Sequence, residues 1–406
     1  MIGRVGSFFL CGNLVNAVVY LFRFGCTINL GHVPSRTQEV RKRNVNEFNE
    51  GNLPDRRDEQ HIAPALLDKH QEKVEYKRLL FILAMSVIGV TVVVQFAIMI
   101  AHLALSAITA RLDLNTLEQF TLILESAGAR NVDDTAYMLF WLLNDIVVYL
   151  PPILFFGLIF RKRMGFRKIG EPYNYKYYWI VPLFFMAAML TSVASIVTGL
   201  IAQIFIGGGN GEGLPEVFSG VLPTTNTQLL TMLVTAGVVA PVCEEIIYRH
   251  LLLRPLRRYG DLQAVIITSL LFGFFHGNLT QFLYTAVVGM LLGLVAVKAN
   301  SVLPAIVIHA MNNIFVVLQM RVFELAEAGL IPLEVEGVSA ISLVVFVTGV
   351  ASLIVMVRKR SLHVENHNPH LSSGERVRML VFRPSIIFMV LFLTFITVMG
   401  TLVMMM

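Results

Sequence analysis

Charge is scarce in this chain. Lys, Arg, Asp and Glu together make up 15% of its 406 residues, against about 25% in a soluble globular domain. The net charge of +5 is small. The basic residues gather at the ends of apolar stretches, a pattern that suits a bilayer and not nucleic acid. Cysteine is scarcer still, with only Cys11, Cys26 and Cys243 present. No two of them have metal-site spacing, and an odd number gives no disulfide framework. Several catalytic signatures are also missing: a His-Glu-x-x-His zinc helix, a Gly-x-Ser-Gly nucleophile turn in an apolar stretch, a Gly-x-Gly-Asp pair and a P-loop. These absences remove the more familiar zinc, serine, aspartyl and nucleotide chemistries. No 20–50-residue repeat is present.

What fills the chain is hydrophobic side chain, 56% of the total, with a mean hydropathy of +0.69. An apolar run of about 20 residues is long enough to cross the hydrocarbon core as a helix. Such runs occupy 79–106, 137–160, 178–206, 227–250, 262–278, 280–298, 302–320, 338–357 and 385–406. The predicted fold is therefore all-α, a polytopic membrane bundle of about eight to nine transmembrane helices. Residues 1–77 read as a lead, in which 27–77 is polar and disordered or loosely helical. Within it, 5–22 reads as a weak span, a signal-like segment or an extension of little consequence. The membrane bundle covers 78–360, a solvated loop 361–384, and the last span 385–406.

Loop charges suggest an orientation. Basic clusters follow the second, fourth and eighth runs: Arg161, Lys162, Arg163, Arg167 and Lys168; Arg254, Arg257 and Arg258; Arg358, Lys359 and Arg360. The alternate loops are acidic or neutral. This alternation predicts a cytoplasmic N-terminal polar segment and an integral protein of the cell membrane.

Polar groups at bilayer depth are costly, so those that occur are functional candidates. Three short motifs stand out. The first is Glu244-Glu245-Ile246-Ile247-Tyr248-Arg249, the second Phe272-Gly273-Phe274-Phe275-His276, and the third His309-Ala310-Met311-Asn312-Asn313. Adjacent helix positions point about 100° apart, so Glu244 and Glu245 face different ways. Glu245 and Arg249 are spaced i, i+4 and can pair. That leaves Glu244 to face the bundle interior as a general base towards water. His309 and Asn313 share one helix face, and both can donate to a developing oxyanion. Phe272 lies one turn before His276 and reads as packing. Each motif alone also reads as interhelical glue or an interfacial anchor; on three successive helices the structural reading weakens. Asn144 and Asp145, just before Pro151-Pro152, read as bonds to an opened helix backbone or as a cavity lining. Gly289-x-x-x-Gly293 reads as a face for close helix approach.

Together these motifs resemble the CAAX prenyl protease and bacteriocin-processing family, the type II CAAX endopeptidase group of membrane proteases. That family carries Glu-Glu-x-x-x-Arg, Phe-x-x-x-His and His-x-x-x-Asn (or Asp) on successive helices. Here they are Glu244-Glu245…Arg249, Phe272…His276 and His309…Asn313, over about 227–320. His250 departs from the glycine common in relatives. The resemblance implies that Glu244 acts with His276 to activate water and that His309 and Asn313 form the oxyanion hole. Glu245, Arg249 and Phe272 would support them.

The expected activity is an intramembrane endopeptidase acting on membrane-associated proteins or peptides, with the lipid bilayer as its other partner and no nucleic acid. No cofactor is expected; if zinc binds instead, Glu244, His276 and His309 are the ligands the sequence offers. Two other classes compete. One is a non-enzymatic immunity or scaffold protein of the same family, which the complete set of catalytic side chains argues against. The other is a transporter with a buried proton relay, which would want inverted repeats that the sequence lacks.

Overall fold

The computed structural model describes residues 59–109, 134–160, 177–206, 223–332, 335–359, 361–363 and 371–405. The chain divides into two units, Met1–Ala63 and Pro64–Met406, and the helical bundle lies in the second. The weak span at 5–22 lies outside the described residues. Among the described residues there is no strand. The long helices are α1 (Glu59–Thr109), α2 (Asp134–Phe160), α3 (Ile180–Ile206), α4 (Asn226–Arg257), α5 (Asp261–Phe275), α6 (Leu279–Ala299), α7 (Leu303–Glu327) and α8 (Val335–Arg358). A two-turn helix α9 (Ser373–Val381) and α10 (Pro384–Met405) follow. Eight of these helices are long and apolar enough to cross a membrane. The protein is a polytopic helical membrane protein. Many large apolar side chains face outward, among them Phe96, Leu158, Ile196, Val344 and Phe395. Such an exterior is stable against lipid tails.

Two stretches differ from the sequence reading. The run 262–278, expected to span, forms a helix of only 15 residues, about 22 Å long at 1.5 Å per residue. The hydrocarbon core is about 30 Å thick. The stop is local chemistry: Gly277 takes a positive φ of 69°, and Asn278 caps the next helix by accepting from the Gln281 N–H. Thr401 of α10 supplies a second acceptor there, taking the Leu279 N–H at 2.9 Å. The second difference is in 361–384, expected as a loop. Ser372 and Glu375 form a reciprocal capping box there and start α9, satisfying two orphan N–H groups. The polar lead is also helical from Glu59 onward, continuous with the first span.

α5 and α6 form a tight antiparallel hairpin that packs against α3, α4 and α10. Glycine sets the closeness. A Cβ at Gly289 would sit 3.0 Å from Phe272 Cδ1 and 3.4 Å from an Arg249 guanidinium nitrogen. One at Gly293 would meet Val265 Cγ1 at 2.9 Å. Gly289→Ala is therefore expected to destabilise the fold by about 1–3 kcal/mol through overpacking. A detergent-denaturation midpoint measured against the wild type checks this, and an unchanged midpoint would mean that the helices have room to spare at Gly289.

α4 holds the acidic motif and is not a regular α-helix. Two π segments, Thr235–Val239 and Ile246–Leu252, flank the α turn Ala240–Glu245. Pro241 explains the first. In an α-helix its ring would clash with the Gly237 carbonyl, to which it has no N–H to offer. The widened turn lets the Ala240 N–H reach back to Thr235 O. The Ala236 carbonyl is then left facing a proline. The second segment precedes Pro255 in the same way.

Candidate active site

The site is assembled where α4, α5, α6 and α7 meet, with α2 alongside. On α4, Glu245 and Arg249 are both buried, with side chains 0% exposed. Glu245 Oε2 lies 3.1 Å from Arg249 Nε, an ion pair whose N–H is off-line, not an aligned hydrogen bond. Their i, i+4 spacing brings them together as expected. Arg249 also donates to the Gly289 carbonyl at 3.2 Å, and its guanidinium carbon stands 5.3 Å from the Phe272 ring centroid. A glycine at 289 is what lets that backbone come within reach. Phe272 is 2% exposed and touches both imidazoles edge to face, His276 at 4.9 Å and His309 at 5.8 Å between centroids. It is the wall between the two histidines.

His309 sits between the two glutamates. Its Nδ1 is 3.1 Å from Glu245 Oε1. Its Nε2 is 3.6 Å from Glu244 Oε2, beyond hydrogen-bond reach. A carboxylate accepts, so Nδ1 carries a hydrogen. Nε2 is then the edge not committed to the protein. Glu245 thus supports two cations or donors at once, Arg249 through Oε2 and His309 through Oε1. Helical spacing alone accounts only for Arg249.

Glu244 is the more open carboxylate of the pair, with 13% of its side chain exposed. Its Oε1 accepts from the Tyr149 hydroxyl at 2.8 Å. His276 closes α5. Its Nδ1 lies 2.8 Å from the Phe272 carbonyl. A carbonyl can only accept, so this bond places the hydrogen on Nδ1 and leaves Nε2 with a lone pair. His276 is within electrostatic range of both Glu244 and His309, but its imidazole bonds to its own helix.

Asn313 lies one turn beyond His309. Its amide nitrogen donates to Ala236 O at 2.9 Å. That is the carbonyl opposite Pro241, so Asn313 satisfies the acceptor that the first π segment exposes. An amide nitrogen carries two hydrogens, and one remains for other use. The structure therefore brings Glu244, Glu245, Arg249, Phe272 and His309 into one contact network. It sets His276 at its edge and ties Asn313 to the backbone of α4.

Residues outside the motifs also reach the site. Tyr149 touches Glu244 directly, and Asp145 and Tyr284 lie within electrostatic range of it. In the sequence Asp145 reads only as a packing or cavity residue. Tyr149 and Tyr284 give no signal there, since tyrosine in an apolar run reads as packing. Among the described residues, no three His, Cys, Asp or Glu side chains are arranged as metal ligands. Each imidazole has its Nδ1 committed, His309 to Glu245 and His276 to a backbone carbonyl, and keeps only its Nε2 edge open.

A buried carboxylate–imidazole network in a polytopic membrane bundle defines a class: membrane-embedded proteins equipped for acid–base chemistry. Comparison of the chain with protein families narrows it. Residues 226–315 match the family described as Type II CAAX prenyl endopeptidase Rce1-like. This segment runs from the start of α4 to the middle of α7. This integral membrane protein is thus similar to CAAX prenyl endopeptidases over that segment. No curated protein and no solved structure matches it.

Proposed function

We propose that the protein is an intramembrane endopeptidase that hydrolyses peptide bonds of membrane-associated proteins or peptides, with the matched segment as its protease core. The observation that supports this most directly is Glu244. It is a partly exposed carboxylate beside a fully buried ion pair, with one oxygen held by a phenol and the other turned towards an imidazole.

A mechanism follows from the donors and acceptors present. Glu244 takes a proton from water, with the His276 Nε2 lone pair accepting a hydrogen bond from the same water. The oxygen attacks the scissile carbonyl carbon, and the carbonyl oxygen becomes an oxyanion. His309 donates to it through Nε2, while Glu245 accepts from Nδ1 and holds the ring in place. The second hydrogen of the Asn313 amide is the other donor. Collapse of the intermediate breaks the C–N bond, and Glu244 passes its proton to the leaving amine. Water is consumed, and an acid and an amine are released. Low dielectric around the site strengthens each of these interactions.

In this reading no step passes through a metal. Purified protein in detergent is expected to release peptide from a membrane-anchored substrate, and to keep that activity after exhaustive chelation. Peptide release with elemental analysis of the same sample checks both points. Loss of activity on chelation with recovery on adding zinc would replace the metal-free mechanism. Absence of cleavage across a broad panel of membrane-anchored peptides would favour the immunity or scaffold class.

A further inference from the structure

α2 lies outside the matched segment, yet it delivers a hydroxyl to the centre of the site. Tyr149 is partly buried and packs against the hydrophobic core. Its hydroxyl donates to Glu244 Oε1 at 2.8 Å, across 95 residues of sequence. One turn earlier on the same face, Asp145 lies within electrostatic range of both Tyr149 and Glu244. Its Oδ2 is buried without a partner. The helix face that meets Glu244 therefore presents a hydroxyl donor beside a second carboxyl group. A carboxylate brought near such a face turns one oxygen to the donor.

That choice has a geometric consequence. A glutamate ends in a torsion with a broad, roughly two-fold profile, so packing alone does not fix the carboxylate plane. The phenol fixes it by holding Oε1. Oε2 is then left without the phenol, on the open side of the carboxylate and 3.6 Å from His309 Nε2. α2 is itself held in place by its packing against the second π segment, Ile246–Leu252. Pro151 and Pro152 lie just beyond Tyr149 in the same helix.

We propose that Tyr149 is a positioning residue for the reaction, holding Glu244 so that Oε2 is free to take the proton of the attacking water. This rests on the reading of Glu244 as the general base. Tyr149 does not contact the substrate in this scheme. It acts through Glu244, and α2 becomes a further wall of a site whose motifs all lie on α4, α5 and α7.

The test is Tyr149→Phe, which removes the hydroxyl and keeps the ring that packs. A hydrogen bond to a charged group accounts for about a ten- to hundredfold effect. We expect kcat to fall by about that factor, with KM unchanged within about twofold and the detergent-unfolding midpoint at its wild-type value. Glu244→Gln measured in parallel separates two failures. If Tyr149→Phe keeps wild-type kcat while Glu244→Gln is inactive, Tyr149 is a packing residue and this proposal falls alone. If both variants keep wild-type kcat, the assignment of Glu244 falls and takes the proposal with it. If Tyr149→Phe lowers activity only in proportion to lost folded protein, its role is structural and the proposal is again overturned. Tyr149→His, which can return a donor to the same region, is expected to recover part of the lost kcat.

Discussion

Glu244→Gln is expected to remove nearly all turnover while leaving the folded protein intact. The amide keeps the shape of the side chain and can still accept from Tyr149 through its oxygen. It cannot take a proton from water. Loss of a general base lowers rates by about 10²–10⁴-fold. Glu244 is partly exposed and is not paired with Arg249, so neutralising it strands no buried charge. Single-turnover cleavage rates with an unfolding curve on the same preparation make the measurement. Wild-type rates in the variant would remove Glu244 from the chemistry.

The opposite outcome is expected one turn away. Arg249→Leu should collapse stability, because the Glu245 carboxylate is fully buried and Arg249 is its cationic neighbour along the helix. Breaking a buried pair by removing one partner costs about 3–5 kcal/mol. The Gly289 carbonyl loses its donor as well. If the stranded charge is the cause, removing it should rescue the fold. Arg249→Leu combined with Glu245→Gln leaves no carboxylate stranded and is expected to recover much of the lost stability, though not the activity, since His309 loses its anionic support. Unfolding midpoints of the two single variants and the double variant complete the cycle. Additive losses in the double variant would show that the ion pair is not the source of the effect.

The membrane class is readable from the scarcity of charge and the length of the apolar runs. Both follow from bilayer thickness, which acts on every span alike. The pairing of Glu245 with Arg249 is readable for a similar reason: helical repeat alone places i and i+4 together. Contacts set by a neighbouring helix are not readable in this way. Sequence spacing assigns Glu244 and Glu245 to separate tasks because their side chains diverge. One imidazole nevertheless reaches towards both, since His309 presents nitrogens on two edges of its ring. Asn313 reads as an oxyanion donor from its spacing to His309. Its bond to Ala236 depends on an irregularity in α4, which hydropathy does not register. Tyr149 is invisible because nothing in an apolar run distinguishes a phenol that packs from one that also donates.

The end of α5 is a middle case. Gly277 and Asn278 are ordinary stop and start signals, but the apolar run read over 262–278 takes both of them in. The span expected there is therefore too long. Local backbone chemistry, not hydropathy, fixes where His276 sits.

The widened turns of α4 have a consequence for the phase of the helix. A π turn accommodates one more residue than an α turn, so each of the two segments acts as a single-residue insertion absorbed without breaking the rod. Between Asn226 and Arg257 the chain is wound out of step with an ideal helix twice, once before the glutamates and once after them. Glu244 and Glu245 consequently hold an azimuth that neither end of α4 would assign them. A regular helical template laid over either end would swing them about 100° away for each missed insertion. The compass bearing of the carboxylates is thus written in Pro241 and in the amide of Asn313 that answers it from three helices further on.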